Sequence, residues 1–177
     1  MLKQRLISAL ILSIGIVSAL FLLPSNYLII FILLLTCVSL LEFLALRFST
    51  LTTILFVCFS LALFYFSSFP GLNKIFIGFS VFTYLVLFFL IISFPVSKPF
   101  LQRNFIWLTS GVAIHLGFFA SLYFLISQDE LVLKHFGADI TNRATLLIIV
   151  LISVMMDSFA FFGGKRFGKS KLLPNVS

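Results

Sequence analysis

The sequence predicts an all-α, polytopic membrane protein with about six transmembrane helices and with N-terminus and C-terminus both cytoplasmic. Three observations carry this: the composition, six long apolar runs, and the uneven placement of Lys and Arg. Of 177 residues, 62% are hydrophobic and 10% charged, against about 45–50% and about 25% in soluble domains. The 12 Lys+Arg and 5 Asp+Glu cannot clothe a core of this size in polar surface. Lipid must be the main solvent. The 25 Phe residues are the reverse of a disordered composition. Cys37 and Cys58, the only cysteines, lie inside apolar runs and behave there as small hydrophobes, which excludes a disulfide scaffold.

A span needs about 20 apolar residues to cross about 30 Å of hydrocarbon at about 1.5 Å per residue. The first run, Leu6 to Leu23, comes after Lys3 and Arg5 in the manner of a signal peptide. It is long for such a segment and its Ser18–Leu20 exit is a poor cleavage site, so a retained helix is expected. The second, Tyr27 to Leu46, begins after Pro24, and the third, Leu51 to Phe69, ends at Pro70 and Gly71. The fourth, Ile75 to Phe94, stops before Pro95 and Pro99, since a missing N–H and a fixed φ end helices. The fifth and sixth, Phe105 to Ile126 and Ala144 to Phe162, flank the one long polar stretch, Ser127 to Arg143. The runs are continuous and about twice the length of a barrel strand, which argues against a β-barrel.

Cytoplasmic loops hold the excess of Lys and Arg. With the N-terminus inside, the inner segments carry Lys3, Arg5, Arg47, Lys98, Arg103, Lys165, Arg166, Lys169 and Lys171. Only Lys74, Lys134 and Arg143 fall outside, together with Asp129, Glu130 and Asp139. The formal net charge of +7 is then explained by topology and by attraction to anionic lipid heads, without nucleic acid as a partner.

Ionisable groups within hydrocarbon are costly, so each is a candidate for function or for an internal partner. His115, midway along the fifth span, reads as a hydrogen-bonded packing residue. Glu42, four residues before the inner end of the second span, reads as a partner of Arg47 or of the N-terminal basic residues, and as a secondary candidate for chemistry. Asp157 differs because of the residues C-terminal to it. The string DSFAFFGGKRFGKSKLLPNVS from Asp157 to Ser177 places Ala160, Gly164 and Gly168 four apart, on one face of a continuing helix, with Asp157 on or beside that stripe. Lys165 and Lys169 form an adjoining i, i+4 pair. Such a stripe admits a helix or a ligand close to the backbone, and the lysines suit phosphate. About five residues of helix put Asp157 roughly 7.5 Å inside the inner boundary, too deep for a short carboxylate to reach bulk water. A divalent cation at the mouth of a cytoplasmic cavity would satisfy it, with hard oxygen ligands favouring Mg²⁺.

At this string the sequence resembles the phosphatidate cytidylyltransferase family, the CDP-diacylglycerol synthases. The matching positions are Asp157, Ser158, Ala160, Phe161, Gly164, Lys165, Phe167, Gly168, Lys169, Leu172, Pro174 and Ser177. The opening MLKQRLISALIL and Glu42 are similar to the family's start and to a Glu found near the end of its second span. The resemblance implies an enzyme of the cell (inner) membrane that joins CTP to phosphatidic acid, giving CDP-diacylglycerol and pyrophosphate. It implies Mg²⁺, with room for a second cation. Asp157 would hold the metal, Lys165 and Lys169 would contact phosphate, Gly164 and Gly168 would admit nucleotide or head group, and Ser158 and Ser177 would donate hydrogen bonds. A homodimer is compatible with it.

The family pattern continues with a Pro-x-Lys-Thr stretch and a later signature with Lys-Asp, His-Gly-Gly and Asp-Arg elements on further helices. Residues 1–177 are therefore expected to be the N-terminal part of a longer membrane domain, with the nucleotide and metal segment opening at 157–177. A chain ending there is expected to show little activity alone, unless Glu42 supplies the second carboxylate. Two other readings compete. One is a different CTP-dependent transferase or kinase acting on a lipid or polyprenol. The other is a non-enzymatic transporter or scaffold, with Asp157 as a proton or ion site in the transporter case.

Overall fold

A computed structural model describes residues 2–127 and 142–168. The described residues form seven helices: α1 (Leu2–Leu22), α2 (Ser25–Ala45), α3 (Thr50–Phe66), α4 (Pro70–Ile92), α5 (Lys98–Leu101), α6 (Asn104–Ser127) and α7 (Asn142–Phe167). Six of them correspond to the six apolar runs. α2, α4, α6 and α7 are long and apolar enough to cross a membrane, and α1 and α3 are further apolar helices. The fold is the all-helical, polytopic membrane architecture expected. Pro70 does more than end the third run, because it is the first residue of α4, where its absent N–H would be unpaired anyway. The four-residue α5 is not legible in the sequence as an element. α7 runs five residues past Phe162, through Gly163 and Gly164, with Lys165 and Arg166 in its last turn, where cations suit the helix dipole.

The chain divides into two compact units. Residues 2–31, 125–127 and 142–167 make up the first, in which α1 packs on α7. Arg143 Nη1 donates to the carbonyl oxygens of Leu20 at 3.3 Å and Phe21 at 3.1 Å. These belong to the last turn of α1, whose carbonyls have no partner within the helix. Leu20 and Leu146 are both buried here. Arg143 thus closes a helix end.

The second unit, residues 32–124 with Gly168, is organised by α6. Lipid tails are as apolar as Leu, so helices in a bilayer associate through close packing and interhelical hydrogen bonds. α6 buries Ser110, Gly111, Ala113, Gly117 and Ala120, a row of small residues. A Cβ on Gly111 would run into the Phe43 ring of α2, and one on Gly117 would overlap Cβ and Oγ of Ser80 in α4. Phe64 of α3 meets Phe119 with ring centroids 5.2 Å apart. Asn73, 2% exposed at the start of α4, donates through Nδ2 to the carbonyls of Ser67 at 3.0 Å and Ala120 at 2.9 Å.

Gly117→Ala is expected to cost about 1–3 kcal/mol through overpacking. Ser80→Gly should restore most of the loss if the two backbones meet in this way. Thermal unfolding of both single variants and the double variant in one detergent checks this.

Candidate functional site

Several hydroxyls in the apolar helices satisfy themselves by donating to the carbonyl four residues back, the local solution where no water is at hand. Thr36 donates to Ile32 at 2.8 Å, Ser60 to Phe56 at 2.8 Å, and Ser121 to Gly117 at 2.7 Å. Ser158 does the same, donating to Val154 at 2.8 Å. Its hydroxyl hydrogen is therefore engaged within α7, leaving oxygen lone pairs for a ligand.

Asp157 has no such arrangement. Its side chain is exposed on α7, and no hydrogen bond or ion pair reaches it among the described residues. The helix is continuous from Asn142 to Phe167, so Asp157, Ala160 and Gly164 lie along one side of it by geometry. Nothing lies within 4 Å of a Cβ built on Gly163 or Gly164, so that side is open. Lys165 comes eight residues after Asp157, about 12 Å of helix rise. Side chains in helices lean toward the N-terminus, which turns the Lys165 ammonium back toward the Asp157 end. A carboxylate and an ammonium so spaced match a metal-bound polyphosphate. Gly168 is exposed and follows the end of α7 at Phe167, so the helical stripe expected to run through Ala160, Gly164 and Gly168 stops at Gly164. Lys169 and Ser177 lie outside the described residues, as do Asp129, Glu130, Lys134 and Asp139.

For Mg²⁺ the donor set is one hard carboxylate, Asp157. That fits an ion commonly held by one or two carboxylates, with water and substrate phosphate completing its octahedron. Among the described residues, no three His, Cys, Asp or Glu side chains come together. Asp157 would therefore share the ion with phosphate oxygens and water.

Glu42 does not pair with Arg47. The Arg47 guanidinium donates instead to Asn104 Oδ1 at 2.7 Å and to the Gln102 carbonyl, and sits over the Trp107 ring at 5.7 Å. Trp107 is stacked on Phe43 with centroids 4.8 Å apart. Arg47 lies in the turn beyond the end of α2 at Ala45, so no helical register holds it beside Glu42. The side chains of Lys3 and Arg5 lie outside the described residues. His115 is a packing residue, as expected: Nδ1 carries the hydrogen of a 2.7 Å bond to the Gly111 carbonyl, and Nε2 meets Ser39 Oγ at 3.0 Å.

Glu42 lines a pocket of about 280 Å³ with Leu41, Ala45, Phe48, Thr50, Thr53 and Ile54. Thr53 is 3% exposed and its hydroxyl has no hydrogen-bond partner. The cause is local. The carbonyl four residues back, that of Ser49, already accepts from the Thr53 N–H at 2.9 Å and from Thr52 Oγ1 at 2.8 Å. Its two lone pairs are spent, and an unpaired buried hydroxyl costs about 1–3 kcal/mol. Sequence reasoning ranks Glu42 second and misses Thr53 altogether. The run Ser49-Thr50-Leu51-Thr52-Thr53, in which the Thr52 and Thr53 hydroxyls compete for one carbonyl, is the available signal.

Residues 3–177 match the cytidylyltransferase family, and the chain belongs to that family. Neither a curated protein nor a solved structure matches it. Membership supports CTP-dependent transfer of a cytidylyl group, and the apolar helices give that chemistry a lipid setting.

A double-mutant cycle between Glu42→Gln and Arg47→Gln, read by thermal unfolding, should give additive effects within about 0.5 kcal/mol. Arg47→Gln alone should also speed proteolytic cleavage around Gln102 and Arg103, because it releases the segment between α5 and α6.

Proposed function

We propose that the protein transfers CMP from CTP to phosphatidic acid at the face of α7 marked by Asp157, releasing pyrophosphate and leaving CDP-diacylglycerol in the bilayer. The observation that carries this reading is the unpaired Asp157 carboxylate on an open helix side, ahead of Gly164 and Lys165, in a chain of the cytidylyltransferase family. An acceptor that lives in the membrane suits a site carried on an apolar helix. Of lipid acceptors, one with a terminal phosphate meets the chemistry directly. A phosphate oxygen of the lipid attacks the α-phosphorus of CTP, the new P–O bond forms, and the bond to the bridging oxygen of the β-phosphate breaks, so pyrophosphate carries the electron pair away.

The residues' tasks derive from where charge builds. Transferring and leaving oxygens gain negative charge, and fixed cations stabilise them more than they stabilise the ground state. Lys165, with Lys169 beyond it, would neutralise the polyphosphate. The open side at Gly164 would let phosphate approach the backbone without a side chain intervening. Asp157 would hold Mg²⁺, which when bound supplies positive charge against both phosphates. Ser158 would orient a ligand donor through the lone pairs that its bond to Val154 leaves free.

Membranes containing the whole natural protein, given labelled CTP, phosphatidic acid and Mg²⁺, should bind CTP in a Mg²⁺-dependent manner and place label in a lipid product. Asp157→Asn should reduce product by at least roughly a hundredfold, the scale of losing a charge-stabilising group. Lys165→Met should reduce it by about tenfold or more, as expected for a charge-assisted hydrogen bond. Ion flux that depends on Asp157, with neither CTP binding nor lipid product, would overturn the reading in favour of a transporter.

A further inference from the structure

We propose that the connection from α4 into α6, residues 93–105, is a docking surface for anionic phospholipid, with Lys98 and Arg103 meeting the lipid phosphate and Val96, Phe100 and Phe105 seated among the acyl chains. The transferase reading is not needed for it. α4 and α6 are each long and apolar enough to cross a membrane, and the connection joins the end of one to the start of the other, all within the second unit. It therefore lies at a membrane face. Val96 is 83% exposed and Phe105 74%, with Phe100 exposed between them, an apolar set that is poorly placed in water and well placed at the upper end of the acyl chains.

A segment can lie at that depth only if its own polar groups are paired. The N–H groups of Ser97, Lys98, Phe100, Leu101, Gln102 and Arg103 all donate to carbonyls inside the segment, and Pro95 and Pro99 have no N–H to place. Ser97, buried, donates its hydroxyl to the Leu90 carbonyl in the last turn of α4. The connection is thus a compact series of turns and needs little water.

Its two cations are free and held in place. Lys98 and Arg103 are exposed, and neither meets a carboxylate among the described residues. The Arg103 guanidinium stands over the Phe100 ring at 5.1 Å, and its N–H donors bond to nothing else among those residues. Arg47 is spent on the two residues that flank Arg103, donating to the Gln102 carbonyl and to Asn104 Oδ1. That grip fixes the turn from which Arg103 projects, so less ordering is left for a ligand to impose. A guanidinium and an ammonium suit a phosphate oxygen cluster. A zwitterionic head group brings its own cation, which these two repel, whereas an anionic one does not. A soluble phosphate would leave Val96, Phe100 and Phe105 in water, so the apolar residues commit the surface to lipid.

Trp107 is the only tryptophan in the sequence. Its N–H bonds to the Arg103 carbonyl at 3.1 Å, so it stands one helical turn beyond Arg103 and reports on lipid there. The test is quenching of Trp107 fluorescence in vesicles of phosphatidylcholine and phosphatidylglycerol, with one or the other lipid brominated near the head-group end of its chains. The protein is the whole natural one, with any tryptophan outside these 177 residues replaced by phenylalanine. Phosphatidylglycerol has no terminal phosphate, which separates this surface from a site for the transfer acceptor. It should bind beside Trp107 roughly tenfold more strongly than phosphatidylcholine. Lys98→Gln and Arg103→Gln should each lower that preference about threefold to fivefold, and the double variant should bring it near one. Both side chains are exposed, so the variants should unfold at the parent temperature, and either alone suffices for the test. Lys74→Gln removes the same charge at the other end of the 23-residue α4 and should leave the preference unchanged. Equal binding of the two lipids by the parent, a preference that survives the double variant, an equal loss on Lys74→Gln, or displacement of phosphatidylglycerol by inorganic phosphate at constant ionic strength would each overturn the assignment.

Discussion

The whole chain is governed by one requirement: a polar group placed in hydrocarbon must find its partner inside the protein, because lipid offers none. Backbone groups meet it through helices, which is why the described elements are all helical. Hydroxyls meet it by donating one turn back, from Thr36 in α2 to Ser158 in α7. Longer polar side chains meet it between helices. Asn73 ties α4 to carbonyls at the end of α3 and in α6, and His115 ties α6 to Ser39 of α2. Because apolar burial gives little drive for helix association in a bilayer, these bonds and the small residues of α6 take the role that a hydrophobic core has in water.

Against that requirement, the groups that do not comply are informative. Asp157 and Glu42 are the two acids among the described residues, and neither has a partner there. Thr53 is buried with an unused hydroxyl while its neighbours Ser49 and Thr52 bond each other at 3.1 Å. Trp107 Nε1 and Asn73 Oδ1 are also unpaired, but each belongs to a side chain that packs or bonds through its other atoms. The distinction matters. A residue that is partly unsatisfied yet otherwise anchored is explained by packing, whereas an unpaired carboxylate in an apolar helix is tolerated by water, by a proton or by a cation.

The architecture is legible in the sequence because span length depends on composition over some twenty residues, which no tertiary contact overrides. Asp157 is legible as an acid in an apolar helix, with Gly164 and Lys165 set by periodicity along α7, which ends at Phe167 before it reaches Gly168. Glu42 is read less well. Its pairing with Arg47 is inferred from separation along the chain, and the structure sends Arg47 to the α5–α6 segment, fifty-five and fifty-seven positions away. Such a partner is decided by where α6 begins, and α5 is too short to leave a periodic trace. Thr53 is invisible because its lack of a partner depends on how many donors reach one carbonyl, a property of the folded turn.

The two acids differ in a way that bears on their tasks. Asp157 stands on an open helix side with glycines after it, so large, highly charged ligands can reach it, and a short carboxylate near a row of small residues favours a metal–phosphate cluster over a specific organic shape. Glu42 stands at an open pocket that Leu41, Phe48 and Ile54 line with apolar groups and Thr50 and Thr53 with hydroxyl-bearing ones. Charge neutralisation requires access and strong fields, and an open helix side provides the access.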